Sequence, residues 1–563
     1  MIVRNEAHIV QETLDSVAPF VSYWVIVDTG STDGTQSLIN SHMAKLGIRG
    51  ELHERPWHNF GENRSEALTL AQGHANYIWV IDADDVLVGA PDFTELSADG
   101  YTLRYHADDA IFWRPQLFRD GLQWCYEGAV HENPRGDPSY VSKPLMGDYY
   151  IHARCLGARS RDPKRHQRDR DLLLADLDRN PNDVRAMSHL ARNYFGTGDF
   201  ESARKWCTRQ VEHGGASEAT YHARFLLAES MSRLGDPWPD ILDAYLRAWE
   251  CRPTRAEPLH AVAVHCREQG RYQLGYHFAE RAARIPLPEG DSLVESRAVY
   301  DWRITDELAI CASWIGKHSE AFRLCRELLA RSDIPDEDRQ RIAQNRDFSV
   351  PPMIEAASQY ANPLTARQID NDADVTISVQ AGLGREATQL TLDSFLNCCI
   401  DLSRVGRIVV FDHSELSNSD RGILQDHYPL LEFAPGTPHD RLGLIRQRAC
   451  GRFWLHLGQG WRFFASDDFI TRLTAVLDAE PNVFQVGINW GDATGLTGRC
   501  AAEECVRRAT GTGRYVIDKL PANGPAMFDL ARLESAVGLD GQSTVIAGLH
   551  TATLDEILCI LAA

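Results

Sequence analysis

Short apolar runs alternate with amphipathic stretches over the first quarter of the chain. Residues 23–27 (YWVIV) and 77–81 (YIWVI) are β-prone and uninterrupted by polar positions. That is the pattern of strands buried on both faces of a parallel sheet. A turn-rich segment, residues 28–35 (DTGSTDGT), follows the first run, and the spacing predicts a helix over 36–45. Another strand-like stretch leads to Trp57, and residues 63–72 (NRSEALTLAQ) read as a second helix. Strand and helix in alternation predict an open α/β sheet. Such sheets bind ligands beyond the carboxyl ends of their strands. Asp28 and Asp82 stand at two such ends.

From about residue 162 to 345 the period becomes helical almost throughout. Gly-plus-polar turns recur at Gly198, Gly235, Gly270 and Gly316, and each precedes a helix with a small residue at its contact position: Ala203, Ala244, Ala279 and Ala321. A recurrence of roughly 35 to 45 residues with small residues at helix contacts resembles degenerate tetratricopeptide repeats. From about residue 373 the α/β pattern returns, with strands expected over 375–379 and 407–411. Residues 440–461 echo 63–85: an Asx-Arg start, a helix, a Gly, a Trp-bearing apolar strand and a tight polar segment. The expected organisation is an α/β domain over 1–158, helical repeats over 159–350, and a degenerate copy of the first domain over 372–563.

Composition adds limits. A chain of 563 residues is too long for one hydrophobic core. A net charge of -21 speaks against a general polyanion binder, since phosphate-rich partners are held by an excess of Lys and Arg. The 13 cysteines form no CxxC pair or zinc spacing, which fits a reducing compartment. The sequence opens directly on MIVRNEA without an apolar leader, and no run approaches the roughly 18 apolar residues of a membrane span. A cytoplasmic protein with no membrane span is expected.

The candidate chemistry gathers behind the 77–81 run, where Asp82-Ala83-Asp84-Asp85 places three acids after a buried strand. Alternate residues of an extended chain share a face, so Asp82 and Asp84 can serve one cation. Oxygen-rich ligands suit Mg²⁺ or Mn²⁺. Such a cation answers the charge that gathers on a departing diphosphate. Alone, the same triplet reads more readily as a solvated acidic turn; the buried strand before it and a second acidic loop after another buried strand favour the metal site. Residues 1–7 (MIVRNEA), 25–35 (VIVDTGSTDGT), Asn63-Arg64, 79–85 (WVIDADD), 126–132 (YEGAVHE), His152 and 162–164 (DPK), in that order, resemble glycosyltransferase family 2. The subgroup resembled opens on an MIVKNE-like strand and in several members carries tetratricopeptide repeats; Arg4 replaces its Lys here.

The resemblance implies a GT-A fold, a sugar-nucleotide donor (UDP-linked above all) and a role for each matching residue. Asp28 would contact the base or ribose, with Asn5 and Glu6 among the donor-binding residues. Arg64 would neutralise the diphosphate, and Asp82 would sit near the ribose and the metal. Asp84 would be the principal metal ligand, with Asp85 and His152 as further ligands. Glu132 would be the general base that deprotonates an acceptor hydroxyl or thiol, with inversion at the anomeric carbon. In the second copy Gly458-Gln459-Gly460 stands where the carboxylates were, so no cation site is expected there. Repeats predict a peptide or protein acceptor, with a glycan next and a modified nucleobase last. Self-association through the repeats or the C-terminal domain is a further expectation. The alternative is a non-catalytic scaffold that keeps transferase-like domains. A nucleotidyltransferase would need a Gly-rich basic loop after the first strand, and Asn5-Glu6-Ala7 is not one.

Overall fold

The computed structural model describes residues 1–107, 110–213, 218–288, 297–358, 373–435, 445, 447–491, 495–522, 524–536 and 549–561. The chain divides into two compact units, 1–253 and 254–563, each described by itself.

The first unit opens with β1 (Ile2–Val3), α1 (Val10–Val17), β2 (Tyr23–Asp28), α2 (Thr35–Leu46), β3 (Arg49–Glu54), α3 (Phe60–Leu70) and β4 (Tyr77–Trp79). Strands β1, β2 and β3 are parallel neighbours with β2 in the middle. Then come β5 (Asp85–Gly89), β6 (Gly100–Ala107), β7 (Ala110–Arg119), β8 (Cys125–Glu127), β9 (Asn133–Arg135), β10 (Ser142–Pro144) and β11 (Tyr149–Ala153). A second sheet runs β4-β7-β6-β11-β5, with β10 beside β6. Among the described residues β1 pairs only with β2, and β4 only with β7. Val10, Leu14, Ile26, Ile39 and Met43 pack the helices onto β2, which burial on both faces requires of so apolar a strand.

Five helices complete this unit: α4 (Arg165–Arg179), α5 (Val184–Gly196), α6 (Phe200–Glu212), α7 (Glu218–Leu234) and α8 (Trp238–Cys251). The second unit continues with α9 (Glu257–Glu268), α10 (Tyr272–Ala283), α11 (Ile304–Trp314), α12 (His318–Leu329), α13 (Asp336–Phe348) and α14 (Val350–Ala357). The four turn glycines have φ between 68° and 81°, the left-handed conformation that ends one helix and starts the next. Ala203, Ala279 and Ala321 are buried at helix contacts. In α8 the fully buried small residue is Ala248; Ala244, one turn earlier, is only half-buried.

The C-terminal α/β region holds β12 (Val375–Gln380), α15 (Gly384–Cys398), β13 (Val405–Asp412), α16 (Asn418–His427), β14 (Leu431–Pro435), β15 (Phe453–His456), β16 (Trp461–Phe463) and α17 (Phe469–Ala479). It ends with β17 (Val483–Gly487), β18 (Arg507–Ala509), β19 (Gly513–Asp518), β20 (Ala526–Asp529), α18 (Leu530–Ala536), β21 (His550–Leu554) and β22 (Cys559–Leu561). One sheet of order β14-β13-β12-β15-β20-β17-β21-β19-β18 forms its core. Its first four strands are parallel, β15 and β17 are antiparallel to β20, and β17 is parallel to β21. The first unit repeats these directions: β4 and β6 are antiparallel to β7, and β6 is parallel to β11. Trp454 and Trp79 thus lie on corresponding strands. Residues 440–444, which carry the echo of 63–67, lie outside the described residues.

Candidate active site

The site lies at the carboxyl ends of β1, β2 and β4. Asp28 ends β2 fully buried, and the turn after it folds back because Gly30 takes φ 103°. Asp28 Oδ1 accepts from Gly30 N at 2.9 Å, Ser31 N at 2.8 Å and Gln36 Nε2 at 3.1 Å. Its Oδ2 is shielded from solvent and has no partner. Asn5 and Glu6 stand beside this turn and hold it. Asn5 N donates to Ser31 Oγ at 2.8 Å, Asn5 Oδ1 accepts from Thr32 N at 2.8 Å, and Glu6 N donates to Thr35 Oγ1 at 2.9 Å. Asn5 needs φ 59° to do this, a conformation Asn tolerates better than most residues. Asn5 Oδ1 and the backbone N–H groups of Asn5 and Glu6 are therefore engaged in framing Asp28, while the Glu6 carboxylate accepts from Ala158 N at 3.1 Å.

Asp82 sits between two guanidinium groups. Its Oδ1 pairs with Arg64 Nη2, and its Oδ2 accepts from Arg114 Nη1 at 2.8 Å. Burial alone would raise the Asp82 carboxyl; the Arg64 and Arg114 charges outweigh it and hold the group well below the usual carboxylate range. Arg64 also reaches Glu132 Oε1 through Nε at 2.5 Å, so one buried side chain on α3 joins the end of β4 to the segment carrying Glu132. Neither its Nε nor its Nη1 has a hydrogen-bond partner, so the contact with Glu132 is an ion pair. Helix α3 can bring Arg64 there because it lies directly on β8: a Cβ on Gly61 would come 2.5 Å from Gly128 O. Asn63 is also buried, but it acts locally, accepting from His58 N at 2.9 Å and donating to Pro56 O at 3.0 Å.

The three expected metal ligands do not come together. Asp84 is half-buried and accepts from Gly157 N at 2.9 Å through Oδ2. Asp85 points into the core, where it accepts from Tyr105 OH at 3.0 Å. Burial, and then the Asp82 charge, push its carboxyl up to about 8. His152 lies in mid-β11 opposite Val86 with its side chain exposed. Among the described residues no three His, Cys, Asp or Glu side chains form a group that could hold a metal ion. Asp85 and His152 do not fit as ligands: strand alternation turns Asp85 inward, and the pairing of β11 leaves His152 outside. Asp84 does fit, because Mg²⁺ is commonly held by one or two carboxylates with substrate phosphates completing the shell.

Several participants carry no mark in the sequence. Arg114 and Tyr105 reach Asp82 and Asp85 from strands β7 and β6, about 20 to 30 residues downstream, and nothing local distinguishes them. The segment around Glu132 is braced by the first helices of the array. Arg185 Nη1 donates to Glu127 O at 2.8 Å, Ala129 N donates to Asp176 Oδ2 at 3.0 Å, and the His131 and His189 rings stack with centroids 4.6 Å apart.

Residues 1–90, which build most of this site, match the family model for glycosyl transferase family 2. A TPR repeat-containing protein of Synechococcus elongatus is 26% identical over 315 residues, 50% of this chain and 73% of that protein. Among solved structures, a thermophilic TPR protein of Thermus thermophilus is 17% identical, with a TM-score of 0.25, over 32% of this chain and 90% of that one. MamA is also 17% identical, with a TM-score of 0.24, over 30% of this chain and 91% of that one. The family match covers β1 to β5 and holds Asp28, Arg64, Asp82, Asp84 and Asp85, while Glu132 and His152 lie beyond it. Among the described residues no helix is long and apolar enough to cross a membrane.

Proposed function

We propose that the N-terminal domain transfers a sugar, with inversion, from a nucleoside-diphosphate donor, UDP-linked in the first instance, to a hydroxyl or thiol of a peptide, protein or glycan acceptor. The observation that carries this reading is the orphaned Asp28 Oδ2. One oxygen of the carboxylate is fixed by two backbone N–H groups, and the other is buried with nothing to accept. A buried acceptor left unpaired is costly, and an N–H of a pyrimidine base or a ribose hydroxyl would satisfy it. Beyond it, Arg64 and Arg114 offer positive charge at the end of β4 where a diphosphate would lie. Asp84 would hold a Mg²⁺ or Mn²⁺ ion that offsets charge on the leaving diphosphate. Glu132, ion-paired with Arg64, would take the acceptor's proton as the nucleophile attacks.

The test is calorimetric titration of UDP into the full chain and into Asp28→Asn. Asparagine keeps the shape but turns the orphaned acceptor into an N–H donor. The variant is expected to bind UDP about tenfold or more weakly; equal binding by both proteins would remove Asp28 from the site. The scaffold reading is favoured by one observation, the dispersal of the expected metal ligands. It requires that no donor sugar be hydrolysed or transferred with Mn²⁺ present.

A further inference from the structure

Helix α5 carries Arg185, His189 and Arg192 at i, i+4 and i+7, a spacing that puts all three on one face. That face turns towards the segment that ends in Glu132. His189 stacks on His131, the residue before Glu132, and Arg185 Nη1 donates to Glu127 O at 2.8 Å. His131 and Arg192 are exposed, whereas the Glu132 side chain beside them is 6% exposed.

The charge on this face is unbalanced. Other arginines around the first helices are matched by carboxylates: Arg159 by Asp169, Arg168 by Asp162, Arg179 by Asp176 and Arg204 by Asp236. Among the described residues Arg192 has no such match, and Arg185 Nη2 is buried without a hydrogen-bond partner. Asp183, the nearest acid along the chain, is engaged in capping α5, where it accepts from Arg185 N and Ala186 N. Burial lowers both imidazoles below their ordinary value, and the Arg192 charge lowers them further. The chain as a whole carries a net charge of -21, so this local excess of cations runs against the field of the molecule.

We propose that this face of α5 is a docking surface for an acidic peptide acceptor, whose carboxylates pair with Arg192 and Arg185 and so present a neighbouring hydroxyl or thiol side chain to Glu132. A guanidinium holds a carboxylate through two parallel N–H bonds, and a buried N–H without a partner gains most from such a pair. The spread of the cations favours a peptide over a small anion. Arg185 and Arg192 stand seven positions apart on the helix, about 10 Å along its axis. That is the reach of about three residues of extended chain. The proposal takes the role of Glu132 from the transferase reading, while the docking itself does not depend on it.

The experiment titrates the full chain into a fluorescein-labelled peptide, Gly-Asp-Glu-Ser-Asp-Glu-Gly, and into its Asn/Gln counterpart, with anisotropy as the readout. At low salt the acidic peptide is expected to bind about tenfold or more tightly than the counterpart, and high salt should remove the preference. Arg192→Ala should lower that preference about fivefold, Arg192→Glu should abolish it, and Arg192→Lys should keep most of it. Arg49→Ala, which removes an exposed arginine at the opposite end of the sheet, should leave it intact. Because the readout is peptide binding, UDP titrations on the same proteins bear on the donor reading alone. Equal affinity for the two peptides, or a preference that survives Arg192→Glu, would overturn the proposal. So would displacement of the peptide by an equal concentration of inorganic phosphate, because it would make the surface a site for a small anion.

Discussion

Asp28 and Asp412 end corresponding strands, and each accepts from backbone N–H groups of the turn that follows. Asp412 also receives Arg421, whose Nε lies 2.7 Å from its Oδ2, so it has no acceptor left over. In Asp28 the equivalent oxygen is orphaned. Asp28 as a strand-end carboxylate was legible from the sequence, whereas its spare acceptor, and the Arg421 that satisfies Asp412, were not. Glu132 and Asp84 are tested at the same scale. Glu132→Gln keeps the size of the side chain and an oxygen beside Arg64 but cannot take a proton. Transfer is expected to fall about a hundredfold or more while donor affinity persists; near-normal turnover would assign the base elsewhere. Asp84→Ala removes one half-buried carboxylate. Stabilisation of the protein by UDP should then lose its dependence on Mn²⁺, with melting of the ligand-free protein little changed. Retained dependence in a thermal-shift titration would place the ion away from Asp84.

Elements matter through the way they press on the site. Helix α3 was readable from its period over 63–72, but it starts three residues earlier, at Phe60, where Asn59 caps it by accepting from Glu62 N at 2.8 Å. Its seat was not readable, because it depends on Gly61 meeting the carbonyl of Gly128, 67 positions later, with no side chain on Gly61. Helix α5 is tied to the Glu132 segment through the His131 and His189 stack. Burial, followed by the His131 and arginine charges, lowers the His189 imidazole to about 3, against an ordinary value of about 6.5. The sign follows: below about pH 6.5 the unfolded chain takes up a proton that folded His189 refuses. Stability is lost as pH falls, by up to ~1.4 kcal/mol per unit, until the folded value is reached. His189→Gln should flatten the fall in melting temperature between pH 6.5 and 5 measured by calorimetry. An unchanged slope would show that other groups carry the acid sensitivity.

At the scale of the molecule, the same strand directions recur in both α/β regions, yet Asp28 keeps an unpaired carboxylate oxygen where Arg421 satisfies that of Asp412. Gly458, Gln459 and Gly460 follow β15 where Asp82, Ala83, Asp84 and Asp85 follow β4. One nucleotide per chain is therefore expected in a calorimetric titration, and Asp412→Asn should leave it unchanged; a stoichiometry of two would give the C-terminal region a site of its own. The order of α/β, helical and α/β segments followed from the sequence alone, because apolar periods of strand and helix are local and the turn glycines mark where each helix must stop. So did the acidic strand ends, since a carboxylate directly after a buried strand must lie at the sheet's edge. The partners of those carboxylates were decided only by the tertiary structure. Arg114 arrives on an antiparallel strand, Gly157 on a distant loop and Tyr105 through the core, while β11 holds His152 outside. A side chain's direction in a sheet is set by register, and register is fixed by the strands that pair, which no local pattern records.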